Sequence, residues 1–250
     1  MGSQARQSHA RTPHESNDES SALPVAERFV SINGEGRNAG RLAAFVRFVG
    51  CNLSCSYCDT RWACVLDCPH EAMDVAQICD WVDSTGAELV TLTGGEPLLQ
   101  PRAATLLAAL SAVPAVRKVE VETNGSIDLA PFVFQRDENA CAAALPVSFT
   151  MDWKLPDSGM QDRMHEGNLA QLDHRDVVKF VASSRQDLDA MRAMCERHGL
   201  FERTNVFVGP VFGKIDPADV VAYLQEHSLV RATLQLQLHK LIWPGMDKGV

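Results

Sequence analysis

Three things are scarce in this 250-residue chain, and each scarcity removes a class of protein. Positive charge is the first: 23 Lys and Arg stand against 32 Asp and Glu, for a net charge of -9. That balance argues against a broad electrostatic nucleic-acid surface, although not against a small basic pocket. Long apolar runs are the second. No stretch approaches a membrane span, and Met1 to Leu23 is polar throughout, with no apolar core of a secretory signal. Evenly spread cysteines are the third. A disulfide framework distributes its cysteines through the fold and needs an oxidising compartment. Here five of the eight fall between Cys51 and Cys68.

What remains is an ordinary globular composition, 46% hydrophobic and 22% charged. A chain of this length buries a core without disulfide staples. The expected location is cytoplasmic, and clustered thiols there read as metal ligands or redox groups. Residues 1–23 read as a disordered tail and 24–250 as a single domain. No internal repeat is visible.

From Pro24 the pattern alternates. Strands are expected at Arg28–Ile32, Leu42–Val49, Leu89–Leu92, Lys118–Val121, Val147–Asp152, Val177–Val181, Asn205–Val208 and Thr233–Leu238. Helices are expected at Ala72–Asp83, Arg102–Val113, Asp187–His198 and Pro217–His227. Strands alternating with helices imply a mainly parallel α/β sheet. The unusual segments all follow strand ends: the cysteine cluster, TGGEP, ETNG, DWK and GPVFGK. That rim is where α/β folds build sites, so the five segments suggest one cavity.

Cys51, Cys55 and Cys58 supply three thiolates on a short loop. Four-iron clusters are held by Cys thiolates, usually four. Three would leave one iron open, as a catalytic cluster requires. Spacing alone equally allows a zinc site from Cys55, Cys58, Cys64 and Cys68 in a non-catalytic adaptor. Buried thiols are the bland alternative.

The CxxxCxxC spacing, with Tyr57 before the last Cys, resembles the radical S-adenosylmethionine superfamily, and TGGEP (Thr93 to Pro97) resembles its GGEP motif. SINGEG, FVRFVGCNLSCSYCDT, TGGEPLLQ, ETNG, DWKLPDSG, GPVFGK and LQLQLHKLIWP together resemble the 7-carboxy-7-deazaguanine synthase family. That family usually has Gln where this chain has Asn33. Glycyl-radical activating enzymes share the CxxxCxxC, but SINGEG and the QLHK tail count against them.

The resemblance implies a partial parallel (β/α) barrel of the radical SAM type. It implies a lyase that contracts the ring of 6-carboxy-5,6,7,8-tetrahydropterin to 7-carboxy-7-deazaguanine, losing ammonia, in queuosine-type 7-deazapurine biosynthesis. The implied cofactors are a [4Fe-4S] cluster on Cys51, Cys55 and Cys58, S-adenosyl-L-methionine, and Mg²⁺ on Thr60. Cofactor contacts are implied for Gly95, Glu122, Lys154, Gly209, Pro210, Val211 and Phe212. Substrate contacts are implied for Ile32, Asn33, Gly34, Arg47, Thr93 and His239. An electron donor and a homodimer are expected; direct nucleic-acid and membrane contacts are not. From the residues alone, Arg47 is a strand Arg with a fork suited to a carboxylate. Thr60 reads as a cap and Asp59 as the better Mg²⁺ ligand. Glu122, Lys154 and His239 read as ordinary polar residues. Cys64 and Cys68 are an open question, while Cys79, Cys141 and Cys195 read as small packing residues.

Overall fold

The computed structural model describes residues 22–138 and 145–250. Residues 1–21 of the expected tail, and Cys141, lie outside them. Leu23, assigned to the tail, is instead the first residue of a strand, fully buried and paired with Met73.

Among the described residues nine strands form one open sheet: β1 (Leu23–Ile32), β2 (Leu42–Phe48), β3 (Glu71–Met73), β4 (Leu89–Gly94), β5 (Lys118–Thr123), β6 (Val147–Trp153), β7 (Val177–Ala182), β8 (Asn205–Pro210) and β9 (Ala232–Leu234). Their spatial order is β3-β1-β2-β4-β5-β6-β7-β8-β9. β1 runs antiparallel to β2 and β3, and every other pairing is parallel. The helices are α1 (Arg61–Cys64), α2 (Val75–Thr85), α3 (Ala103–Ser111), α4 (Ala130–Glu138), α5 (Asn168–Gln171), α6 (Arg185–His198), α7 (Leu200–Arg203), α8 (Pro217–Glu226) and α9 (Leu238–Ile242).

The parallel strands are buried on both faces, as crossover helices demand. Their residues still alternate with a period of two. Val46, Phe48, Leu92, Val119, Val121, Phe149, Met151, Val178 and Phe180 pack with Ile78, Leu106, Leu110, Leu188, Met191 and Val220 of the helices in one core. The positions between them are polar: Arg47, Thr91, Thr93, Glu120, Glu122, Thr150, Asp152 and Lys179. One face of the sheet is therefore a hydrophobic floor for helices, and the other is a polar wall.

Two expectations shift. The helix expected at Ala72 starts at Val75 because Glu71–Met73 pairs with β1. Asp74 then caps it, accepting from Gln77 N at 2.8 Å while Gln77 returns a bond to Asp74 N. The strand expected at Thr233–Leu238 ends at Leu234. Gln235 N still donates to Val208 O (2.9 Å), and its side chain clamps Gly36, accepting from Gly36 N (2.7 Å) and donating to Gly36 O (2.9 Å). The chain then turns into α9. Helix α4 carried no sequence expectation.

Among the described residues, no helix is long and apolar enough to cross a membrane.

Candidate active site

A cavity of about 420 Å³ opens at the C-terminal ends of the parallel strands. The register explains its wall. Arg47 sits beside Thr93 across β2–β4, Glu122 beside Thr150 across β5–β6, and Asp152 beside Lys179 across β6–β7. All six line the cavity.

The loop after β2 carries Cys51, Cys55 and Cys58 to its rim, where all three line it. Helix α1 staples that loop at both ends. Gly50 N and Cys51 N donate to the carbonyls of Ala63 (2.8 Å) and Cys64 (3.3 Å). Arg61 donates to the carbonyls of Cys55 (3.0 Å) and Ser56 (2.9 Å). Ser56 is held from the other side by Ser158 and Asp157. Leu53 N (3.4 Å) and Asn124 Nδ2 (3.5 Å) point at Cys51 Sγ. Such N–H···S contacts stabilise a thiolate. The Cys64 thiol, set between Cys51 and Cys58, holds both at about 6 and is itself pushed up, while burial pushes Cys55 up.

The TGGEP segment presses on the same loop. Gly95 N donates to Phe48 O (3.1 Å) and Glu96 N to Gly50 O (2.8 Å). Any Cβ at Gly95 would collide with the Gly50 carbonyl and lie 2.9 Å from Cys51 N, so glycine is required for this approach. Glu96 is fully buried and accepts from Leu98 N, Thr123 Oγ1 and Asn124 N, at 2.6–3.0 Å. It ties the ends of β4 and β5 together. Burial pushes its carboxyl up to about 7.

Three lysines at the cavity are paired with carboxylates. Lys179 Nζ meets Glu35 Oε2 at 2.6 Å, Lys154 meets Asp152 at 2.9 Å, and Lys240 meets Asp59 at 3.2 Å. Burial disfavours charge on Lys154 and Lys179, but their carboxylate partners win and both shift up. Burial also raises Asp59, yet Lys240 outweighs it and the net shift is down. Glu122 has no salt bridge of its own. Lost hydration and the Glu35 charge push it up to about 7, against Lys179. Burial holds His239 below its ordinary value.

Ile32, Gly34, Arg47, Thr60, Thr93, Gly95, Glu122, Lys154, Val211, Phe212 and His239 line the cavity together. Arg47 is not on a solvated face: its Nε donates to Glu27 at 2.7 Å and its guanidinium lies 5.9 Å from the Trp62 ring centre. Thr60 does not cap α1 with its hydroxyl; that hydroxyl lies 3.8 Å from Cys58 Sγ. His239 lies over Gly34, where a Cβ would come within 2.7 Å of its Nδ1.

Three of the expected contact residues are not among those that line the cavity. Asn33 does not line the cavity: its side chain is buried, with Oδ1 accepting from Thr91 at 2.9 Å and Nδ2 unpartnered. Gly209 and Pro210 are also outside. Gly209 backs onto Gln235 O, and Pro210 faces a neighbouring cavity of about 380 Å³ that shares Phe212. Glu35, Asp152, Lys179, Asn124 and Arg61 were not among the expected site residues. A Lys inside the apolar strand VKFV was the available signal.

The cysteine pair splits. Cys64 lines the cavity; Cys68 is buried elsewhere, its thiol at 3.4 Å from Pro69 O. Cys68 does not line the cavity with Cys55, Cys58 and Cys64, so the four-cysteine zinc set is not brought together there. A four-iron cluster makes a different demand, one thiolate per iron. Three thiols around one cavity, with N–H groups aimed at sulfur, fit that donor set. Cys79 packs against the core and Cys195 is buried in it.

Fold and site define a radical SAM protein, and the family profile of the radical SAM superfamily matches residues 45–142. A 7-carboxy-7-deazaguanine synthase of Clostridium acetobutylicum is 45% identical, over 90% of this chain and 98% of its own. One from Methanospirillum hungatei is 34% identical over 92% and 89%. The chain belongs to the 7-carboxy-7-deazaguanine synthase family. The crystal structure of QueE from Escherichia coli superposes with a TM-score of 0.64 at 18% identity, covering 90% of this chain and 99% of that one. At that identity it supports the fold alone. The open, mostly parallel sheet agrees with the expected partial barrel.

Proposed function

We propose that this chain converts 6-carboxy-5,6,7,8-tetrahydropterin to 7-carboxy-7-deazaguanine, with loss of ammonia. The carrying observation is convergence. The three motif cysteines, the TGGEP backbone and the polar wall from Arg47 to Lys179 face one cavity, in a chain whose relatives bear that activity in their names.

Cys51, Cys55 and Cys58 would hold a [4Fe-4S] cluster, leaving one iron for S-adenosyl-L-methionine. Bound there, such a cluster would supply the single electron for reductive cleavage of the cofactor, and with it hydrogen-atom abstraction from the substrate. The protein's part is position and exclusion of water. Gly95 lets backbone N–H and C=O groups reach the methionine end. Glu122 and Lys154 stand at strand ends to receive polar groups of the cofactor, and Val211 and Phe212 give apolar contact to its adenosine. Gly209 and Pro210 support that contact from behind.

Arg47, with Nε fixed by Glu27, keeps its Nη groups for the substrate carboxylate. Ile32, Gly34, Thr93 and His239 surround the pterin. His239, held neutral by burial, can donate or accept one hydrogen bond there. Asn33 acts one step back, by fixing Thr91. Thr60 offers an oxygen to Mg²⁺, which would complete its shell with water and substrate oxygens; Asp59 is already engaged by Lys240. We also assign a cytoplasmic location, a homodimer and a separate electron donor.

Anaerobic turnover tests the reading. Reconstituted protein with Mg²⁺, S-adenosyl-L-methionine, reductant and the carboxylated tetrahydropterin should release 7-carboxy-7-deazaguanine and ammonia. Cofactor cleavage without that product would refute the substrate and leave the radical chemistry standing.

A further inference from the structure

Cys64 is the cavity-lining thiol that the CxxxCxxC spacing leaves over. It is the last residue of α1, and its Sγ lies 3.9 Å from Cys58 Sγ. Both thiols converge on Thr60. Cys58 Sγ is 3.8 Å from its hydroxyl, and Cys64 Sγ is 3.5 Å from its carbonyl oxygen. The backbone on either side is fixed, because Cys64 O accepts from Cys51 N and Cys58 N donates to Cys55 O. Both residues are half-buried at an open cavity, within reach of a small oxidant. Cys55, Cys68 and Cys195 are buried instead.

A disulfide needs its sulfurs about 2 Å apart and its Cβ atoms about 4 Å apart. Sulfurs already 3.9 Å apart must close by about 2 Å. Side-chain torsion supplies such a movement without moving the stapled backbone. A cluster bound to Cys58 would remove that thiol from the reaction, so only the cluster-free chain is open to it.

We propose that Cys58 and Cys64 are a redox-reactive pair that closes to a disulfide in the cluster-free protein. The bond withdraws one of the three proposed ligands until a dithiol reductant restores it. The oxidant is a low-molecular-weight disulfide such as oxidised glutathione. One protein thiolate attacks it, breaking the glutathione S–S bond, forming a mixed disulfide and expelling one glutathione thiolate. The second protein thiolate then attacks the mixed disulfide at the protein sulfur and expels the other glutathione. Two electrons pass from protein to oxidant, and the two thiol protons end on two glutathione thiols. The intramolecular bond also keeps Cys58 off the irreversible branch of thiol oxidation, since a sulfinic acid cannot be reduced back by a thiol. Cys64 thereby acquires a role that its position beside the ligands does not otherwise explain.

The inference rests on Cys58 as a cluster ligand, but its test does not use the cluster. Cluster-free full-length protein is incubated anaerobically with oxidised glutathione, alkylated, digested with trypsin and analysed by mass spectrometry. Arg61 lies between the two cysteines, so the bond joins two tryptic peptides, and fragmentation assigns the sulfurs. The expected result is a Cys58–Cys64 link, two fewer free thiols per chain, and iron uptake that is blocked until dithiothreitol is added. Cys64→Ser should carry glutathione on Cys58 instead of an internal link, and Cys64→Ala should do the same. Free, alkylated Cys58 and Cys64 in the treated wild type would overturn the proposal, as would a link confined to Cys55–Cys58 or to Cys51–Cys64. Failure of the ligand assignment is read separately: wild type that takes up no iron even when fully reduced.

Discussion

Gly95→Ala is the substitution for which the structure gives the sharpest arithmetic. The added methyl would lie 2.9 Å from Cys51 N and closer still to the Gly50 carbonyl. A relaxed carbon–oxygen contact is about 3.3 Å, so the strand end and the cluster loop must part by roughly 1 Å. The Glu96 N to Gly50 O bond starts at 2.8 Å and does not survive that movement. Its loss costs about 1 kcal/mol net, and overpacking of this kind adds about 1–3 kcal/mol. The total is about 2–4 kcal/mol. For a chain of this size each kcal/mol lowers Tm by about 2–4 °C, so a fall of about 4–16 °C is expected. The functional loss should be larger, because a displacement of about 1 Å in a reacting geometry costs on the order of 100-fold.

Gly86→Ala is the control. Gly86 caps α2 at φ 66°, and nothing lies within 4 Å of its missing Cβ. Alanine there meets only backbone strain, about 1 kcal/mol, far from the cavity. Thermal denaturation and anaerobic turnover of both variants make the comparison. Gly95→Ala with the Tm and turnover of Gly86→Ala would refute the steric argument.

Arg61→Ala removes the clasp on the Cys55 and Ser56 carbonyls. Because Arg61 is exposed, Tm should change little, while reconstituted protein loses iron to a chelator several-fold faster; Arg61→Lys should be intermediate. Glu96 predicts a pH slope. Its folded pKa of about 7 lies above the ordinary carboxyl value of 4.5, so the native state binds the extra proton between those values. Stability should fall as pH rises through that window, by about 3 kcal/mol from this group, and Glu96→Gln should flatten the slope in urea denaturation from pH 5 to 8. Lys179→Met leaves the half-buried Glu35 without its partner, at a cost of up to about 3 kcal/mol. Adding Glu35→Gln should recover part of the loss; a double variant no more stable than the single would contradict the pairing.

What the sequence disclosed was whatever depends on local spacing. The α/β alternation, a helix within Ala72–Asp83 that ends before Gly86, and the five rim segments are written in consecutive residues. So is the resemblance carried by Cys51, Cys55, Cys58 and TGGEP. What it hid depends on register between distant strands. Asn33 stands between two cavity-lining residues just past the end of β1, yet its side chain is buried and accepts from Thr91 of β4, 58 positions away. Glu35 and Lys179 are 144 positions apart and meet only because the sheet is assembled. The last strand was misread because TLQLQL alternates well enough for a strand. The segment after Leu234 instead carries the clamp of Gln235 on Gly36, between residues 199 positions apart.

The acidic composition takes a different meaning once the cavity is known. A chain with net charge -9 carries Arg47, Lys154, Lys179 and Lys240 around the wall of one cavity, and each is already opposed by a carboxylate: Glu27, Asp152, Glu35 and Asp59. Such a wall does not attract anions by excess charge. It presents fixed, directional donors whose orientation is set before a ligand enters. A site of that kind favours geometry over charge and places a substrate precursor at a defined angle to the cofactor. That is the requirement of a reaction in which a reactive radical must meet one hydrogen atom and no other. The paired wall therefore argues that selectivity here is achieved by orientation, and exchanging one pair for its reverse, Asp152→Lys with Lys154→Asp, should keep net charge and lose turnover.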